Sequence, residues 1–168
     1  MKRVLIVGCA GAGKSTFARR LADLSGLPLV HLDQHYWQPG WMETAVEDWS
    51  RKVRDLTAPP SWIMDGNYGD TLPIRLARAD TVIHLDFPRR VCLWRVLKRT
   101  TLQYGKTRQD MTPGCPERFN REFIAYIWRY RRGHRPRLIE ALDGYNGTLI
   151  VLRGSRDVSR YIERIAAG

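Results

Sequence analysis

The chain has 168 residues, 43% of them hydrophobic, and carries 28 Lys and Arg against 17 Asp and Glu, a formal charge of +11. That length fills one core, so a single domain over residues 1–168 is expected, and no run of 18 apolar residues exists to cross a membrane. The positive surplus points to an anionic partner, nucleotide phosphates or nucleic acid, or to nothing more than a basic solvated surface.

The three cysteines, Cys9, Cys92 and Cys115, stand far apart and are odd in number. Free thiols in a reducing compartment fit that pattern, and no Cys/His spacing suggests zinc. Lys2 and Arg3 precede only four apolar residues, too few for a secretory leader. A cytoplasmic location is expected.

Taken in chain order, Arg3–Val7 is a continuous apolar run ended by glycines, the pattern of a strand buried on both faces. Phe17, Leu21 and Leu24 recur at helical spacing from Lys14 onward, and Gly26 with Pro28 marks the stop. Leu29–Leu32 reads as a second strand, and Thr44–Leu56 as a helix within an aromatic-rich stretch. Ser61–Met64 and Thr81–Leu85 are the third and fourth strands. Pro88 opens a helix with Val91, Trp94 and Leu97 on one face. Residues 104–117, with Gly105, Pro113, Gly114 and Pro116, read as a loop. Beyond it Phe119, Phe123, Tyr126, Ile127 and Tyr130 predict the apolar face of a helix. Arg118, Arg121, Arg129 and Arg132 fall within roughly 80° of one another on its other side, as a solvated face or an anion-facing stripe. Thr148–Leu152 is a fifth strand, and Val158, Ile162 and Ile165 mark a closing helix. Strands alternating with helices predict an α/β fold with a parallel sheet.

Gly8-Cys-Ala-Gly11-Ala12-Gly13-Lys14-Ser15 fits G-x-x-x-x-G-K-[ST] between a strand and a helix, the context that gives the motif its meaning. Its glycines let successive backbone N–H groups converge on phosphate at a helix N-terminus. Lys14 reaches the β- and γ-phosphates, and Ser15 offers a hydroxyl to magnesium. Gly8, Gly11, Ala12, Gly13, Lys14, Ser15 and Thr16 are therefore the expected nucleotide-binding residues, with ATP and Mg2+ as cofactors. No guanine-reading Asn-Lys-x-Asp segment is present, and the loop is of the wrong type for a dinucleotide-binding dehydrogenase.

The chain resembles the adenylate-kinase-like family of nucleoside-monophosphate kinases in Gly8–Ser15, in Trp62-Ile-Met-Asp65-Gly66, and in Asp80–Pro88 running into Leu93–Arg99. More narrowly, Leu32-Asp33-Gln-His-Tyr36-Trp37-Gln-Pro39-Gly-Trp41, Asp65-Gly-Asn-Tyr68 and Asp110–Arg118 are similar to the topology modulation proteins. The resemblance implies a three-layer P-loop NTPase fold, adenylate- or shikimate-kinase-like, with an acceptor-binding insert at about 34–60 and a mobile lid at about 100–135. It implies that Arg99 lies against the adenine or the phosphates, and that Arg156 lies in the loop beside the adenine. It also implies that the lid cations are drawn from Arg118, Arg121, Arg129 and Arg132. One departure matters. Adenylate kinases follow their Asp-Gly with Phe-Pro-Arg, whereas this chain has Asn67-Tyr68-Gly69, and Arg51, Lys52 and Arg54 match no AMP-recognition pattern.

Asp33 and Asp65 end the second and third predicted strands, on the edge that carries the phosphate loop. Asp33 is the candidate base for an acceptor hydroxyl, and Asp65, with Ser15, the candidate magnesium residue; turn or helix capping is the alternative for both. Asp86 reads as a cap before Pro88. Tyr36, Trp37 and Trp41 either stack on an acceptor or fill the insert. His31 and His84 read as core histidines, while His35 and His134 show no partner, and Cys9 reads as a small loop residue open to oxidation. Two functions follow: a kinase acting on a small acceptor, and an ATP-dependent nucleic-acid-binding regulator. The absence of helix-turn-helix, RRM and zinc patterns favours the first.

Overall fold

In the computed structural model, which describes residues 1–167, strand β1 (Arg3–Gly8) leads through the glycine loop into helix α1 (Lys14–Ser25), and β2 (Leu29–His31) runs directly into α2 (Leu32–Tyr36). A hairpin of β3 (Trp37–Gln38) and β4 (Met42–Glu43) follows, then α3 (Val46–Thr57) and β5 (Trp62–Asp65). A 3-10 turn at Gly69–Thr71 precedes α4 (Leu72–Leu76), β6 (Thr81–Leu85) and α5 (Arg89–Leu102). After a long loop come α6 (Arg121–Arg129), α7 (His134–Asp143), β7 (Thr148–Leu152) and α8 (Ser155–Ala166). Gly168, the last residue of the expected single domain, lies outside the described residues.

The main sheet has the order β2-β5-β1-β6-β7, and every pairing in it is parallel. Ile6 stands opposite Asp65 and Ile83, and Gly8 opposite Leu85. All five strands therefore end on one edge, which carries the phosphate loop, Asp65 and the start of α2. Side chains alternate between two apolar layers. Val4, Ile6, Ile63, Ile83 and Leu85 pack against Phe17, Leu21, Cys92, Val96, Ile127 and Ile162. Leu5, Val7, Met64 and Val82 pack against Leu32, Trp49, Val53, Leu138 and Leu142. Both faces are covered, so the central strands read as continuous apolar runs.

Four sequence expectations change. The second strand stops at His31, and Asp33 sits in the first turn of α2, because Leu32 turns inward to the second layer. Helix α5 buries Cys92, Val96 and Thr100, leaving Trp94 at 66% exposure and Leu97 exposed as well. Volume and hydrophobicity suggested the tryptophan face, but only the smaller ridge fits closely over the glycine loop. The helix after residue 117 is shorter than the arginine periodicity implied: Asn120 caps it, accepting from the Glu122 and Phe123 N–H groups, so Arg118 precedes it and Arg132 follows it. Helix α7 was not anticipated; its only strong signal is Leu138 and Leu142, four residues apart.

The burial pattern makes a direct prediction. Ile83→Ala, in the interior strand β6 and fully buried, should cost about 2–5 kcal/mol of unfolding free energy. Leu149→Ala, on the edge strand β7 and 43% exposed, should cost less than about 1.5 kcal/mol in the same urea titration.

Candidate functional site

Backbone geometry shapes the phosphate loop before any side chain acts. Gly8 has φ 145°, and a Cβ there would lie 2.4 Å from the Leu85 carbonyl oxygen; at Gly11, φ 81°, it would lie 2.4 Å from that of Cys92. The loop is thus pressed onto β6 and α5. Gly13 begins α1 in a left-handed conformation, with no side-chain cap and no acidic residue in the first turn. The first N–H groups of α1 are left to an anion. Lys14 Nζ donates to the Gly8 and Cys9 carbonyls at 2.9 and 3.2 Å, and Ser15 and Thr16 follow it on the helix. Arg95 was not singled out from sequence. It donates to the Ala12 carbonyl at 3.0 Å and to Ser155 Oγ at 3.1 Å, with its guanidinium 4.8 Å from the Phe87 ring centroid. Cys9 and Cys92 are both buried side by side, and Cys92, then burial, pushes the Cys9 thiol up.

Beside the loop lies a cluster of carboxylates. Tyr68 donates to Asp33 Oδ1 at 2.5 Å. Burial raises the Asp33 pKa, and the charge of Asp65 adds to the rise, against the lowering effects of Tyr68, Lys14 and Arg108. Asp65 is buried and pairs with His31 Nδ1 at 2.6 Å, so His31 is a partnered residue rather than inert core. Burial pulls the His31 pKa down, but the hydrogen bond and charge of Asp65 outweigh it and leave the imidazole above its ordinary value. Asp110 arrives from the long loop, pairs with Arg108 and lies close enough to the Ser15 hydroxyl to feel it. Burial raises its pKa, and the charge of Arg108, with the Ser15 hydroxyl, overcomes that and lowers it. Arg108 bridges Asp110 and Glu117, each at 2.7 Å, and Arg99 meets Glu117 at 3.1 Å. Two arginines and two acids form one neutral chain along this wall. Asp110 and Glu117 fell within the segment that carried the family resemblance but were given no site role, and Arg108 was not singled out, because the segment has no periodicity.

The replacement of Phe-Pro-Arg by Asn67-Tyr68-Gly69 has a structural answer. Asn67 Oδ1 accepts from the Gly8 N–H at 3.0 Å, while its Nδ2 lies 3.4 Å from the Tyr126 hydroxyl. Tyr68 adopts φ 35°, a left-handed conformation unfavourable for a bulky residue. Arg75 holds it there. Its side chain, fully buried, donates to the carbonyls of Gly66 at 3.0 Å, Tyr68 at 2.6 Å, Thr71 at 3.3 Å, and Asn67. Burial lowers its pKa from the ordinary guanidinium range. This residue was missed because an arginine between apolar positions in Leu72–Leu76 reads as surface.

The segments expected to form the insert and the lid are joined. Thr112 Oγ1 donates to the Gln34 and Trp37 carbonyls at 3.0 and 2.7 Å, the Gly40 N–H to Gly114 O at 2.9 Å, and Trp41 Nε1 to Pro116 O at 3.0 Å. The lid expected to be mobile over about 100–135 is thus tied to the insert through residues 112–116. Arg118 is exposed, its guanidinium 5.6 Å from the Trp41 ring. Arg121 lines an open cleft of about 650 Å³ with Glu122, Ala125, Tyr126, Arg129 and His134, and Tyr126 joins this cleft to Asn67. His134 packs against the Tyr126 ring. Arg132 lines a separate cleft with Arg131. Arg156 is exposed in the first turn of α8, where Ser155 makes the contact to Arg95. Tyr36 packs on Trp37, Trp49 and Tyr68, which places it in the insert core. Asp86 is not a cap: it forms a bidentate pair with Arg135 at 2.8 and 2.7 Å, and no side chain caps α5.

Comparison with known proteins agrees with this geometry at the level of architecture. Shikimate kinase from Acinetobacter baumannii, solved with shikimate, superposes with a TM-score of 0.64 over 98% of this chain and 90% of that one, at 17% identity. Deoxyadenosine kinase from M. mycoides gives 0.52 over 98% and 96%, also at 17% identity. The chain has the P-loop kinase fold. In sequence, a 57-residue stretch is 39% identical to the ATPase subunit HslU of the ATP-dependent protease of Campylobacter jejuni subsp. doylei, covering 33% of this chain and 12% of that protein. No protein-family model matches. Among the described residues, no helix is long and apolar enough to cross a membrane.

Two outcomes follow from these contacts. Arg75→Met should lower unfolding free energy by about 3 kcal/mol or more in urea titration, since several buried carbonyls lose their donor at once. The second concerns pH. His31 has its pKa raised in the folded state, so the stability from its pair with Asp65 is fully present below the unfolded value of about 6.5 and is lost as pH rises through the folded one. The stability gap between wild type and His31→Asn should therefore shrink on going from about pH 5.5 to about 8.5.

Proposed function

We propose that this protein is an ATP-dependent kinase that transfers the γ-phosphoryl group to a hydroxyl of a small acceptor. The observation that carries the reading is Asp33: a carboxylate with a raised pKa, fixed by Tyr68, within the influence of Lys14 on the strand-end edge. The residues present fit ATP and magnesium. The uncapped N-terminus of α1 and the glycine cradle suit a polyphosphate, and Lys14, satisfied only by loop carbonyls, is free to exchange them for phosphate oxygens. When bound, ATP–Mg supplies the phosphoryl group and an electrophilic phosphorus with its charge partly neutralised.

In this reading Gly8, Gly11, Ala12, Gly13, Lys14, Ser15 and Thr16 hold the triphosphate. Ser15, together with Asp65 and Asp110, forms the cation corner in the same reading. Among the described residues, no group of three or more His, Cys, Asp or Glu side chains could hold a metal alone. Phosphate oxygens and water complete the shell, as magnesium prefers. Arg95 and Ser155 frame the base side; Arg99 and Arg108 line the transfer path, and Arg121 with Arg129 the outer cleft. Arg118 and Arg156 are peripheral to these contacts.

Asp33 also bears on the acceptor. A nucleoside monophosphate attacks through a phosphate that is already anionic, needs no base, and is repelled by a carboxylate. A neutral hydroxyl needs its proton accepted as the bond to phosphorus forms, which is what a positioned Asp33 provides. The neutral chain Arg99–Glu117–Arg108–Asp110 leaves no uncompensated guanidinium on this wall for an acceptor phosphate. The acceptor class is therefore a nucleoside, sugar or other polyol, ahead of a nucleoside monophosphate.

ADP release from ATP–Mg, measured against nucleosides, polyols and nucleoside monophosphates, tests this. A hydroxyl acceptor should stimulate turnover, and Lys14→Ala should abolish it. Asp33→Asn should lower kcat by about 10²–10⁴ with little change in the KM for ATP. Stimulation by nucleoside monophosphates alone, undiminished in Asp33→Asn, would overturn the hydroxyl reading.

A further inference from the structure

Away from the phosphate loop and Asp33, a second basic feature has no role in phosphoryl transfer. A cleft of about 470 Å³ is lined by Pro88, Arg89, Arg90, Arg131 and Arg132, drawn from the start of α5 and the turn between α6 and α7. Among the described residues, none of these four arginines lies within ion-pair distance of a carboxylate. Asp86, whose pKa responds to the charge of Arg131, is already taken by both arms of Arg135. Four cations converging without a counter-charge repel one another, and an anion relieves that.

Aromatic rings flank the cleft. Arg89 lies 4.1 Å from the centroid of the Trp128 ring, and Trp128 remains 53% exposed. On α5, Arg90, Trp94 and Lys98 are spaced four apart and exposed, so they form one ridge leading from the cleft. The large exposed Trp94, unused by either core layer, gains a purpose on such a ridge.

We propose that the arginine cleft and the Trp94–Trp128 surface bind single-stranded nucleic acid. Guanidinium groups would track the phosphates while exposed indole rings stack on unpaired bases, and the +11 charge of the chain adds long-range attraction. The single strand is favoured over the duplex because stacking requires splayed bases that a duplex does not offer. This surface is separate from the kinase reading and does not depend on it.

Fluorescence anisotropy with a labelled single-stranded oligonucleotide of about 20 nucleotides tests the proposal on the full chain. Duplex DNA, heparin and vesicles of anionic lipid serve as competitors. The double variant Arg90→Glu/Arg131→Glu should bind more than tenfold more weakly, and Trp94→Ala severalfold more weakly. Lys14→Ala should bind as wild type does, and log affinity should fall linearly with log salt. ATP binding by the double variant reports that it is folded. The proposal is overturned if the wild type does not bind the oligonucleotide at moderate salt. It is equally overturned if Lys14→Ala loses binding while the double variant keeps it, or if duplex, heparin or vesicles compete as well as the unlabelled single strand.

Discussion

One buried cation organises this site without touching the chemistry. Arg75 donates to four carbonyls of the chain between Gly66 and Thr71, so that segment can bend back through a left-handed Tyr68 with its backbone oxygens satisfied. A buried arginine is costly unless its donors are used, and here carbonyls use them in place of a carboxylate. The bent segment then carries Asn67 to the Gly8 N–H and Tyr68 to Asp33. Phosphate loop, Asp33 and, through Tyr126, helix α6 thus share one support.

A second constraint is charge balance. Asp33 and Asp65 repel each other beside the phosphate loop, and Asp65 and Asp110 both act on His31. Each has a distinct partner: Tyr68 for Asp33, His31 for Asp65, and Arg108 for Asp110. Only Asp33 lacks an ion-pair partner, and its pKa is raised while that of Asp110 is lowered. Burial prevails at the first, whereas at the second the charge of Arg108 overcomes it. Hydrogen bonds tying residues 112–116 to residues 34–41 bring Asp110 and Arg108 to this wall.

Much of the architecture was legible because local signals agreed with the global fold. Arg3–Val7, Thr81–Leu85 and Thr148–Leu152 are apolar runs bounded by turn residues, and the glycine loop lies between a strand and a helix by necessity of its function. Misreadings fell where side-chain size competed with fit. Trp94 dominated the apolar pattern of α5, yet the surface against Gly11 admits only Cys92 and Val96, so the tryptophan was displaced to solvent. Asp86 looked like a cap by position, but Arg135, 49 residues away, claimed both of its oxygens.

The sequence by itself determined the parallel α/β plan, the phosphate loop with Lys14 and Ser15, and the placing of Asp33 and Asp65 on one edge, because these depend on spacing along a few neighbouring residues. Tertiary structure alone decided that Arg75 is buried, that Asp110 and Arg108 complete the wall, and that arginines from α5 and the α6–α7 turn meet in one cleft. Each of those facts pairs groups far apart in the chain or sets a cation against backbone carbonyls. Neither relation leaves a periodic trace in sequence, since a carbonyl is present at every residue and a long-range partner at none in particular.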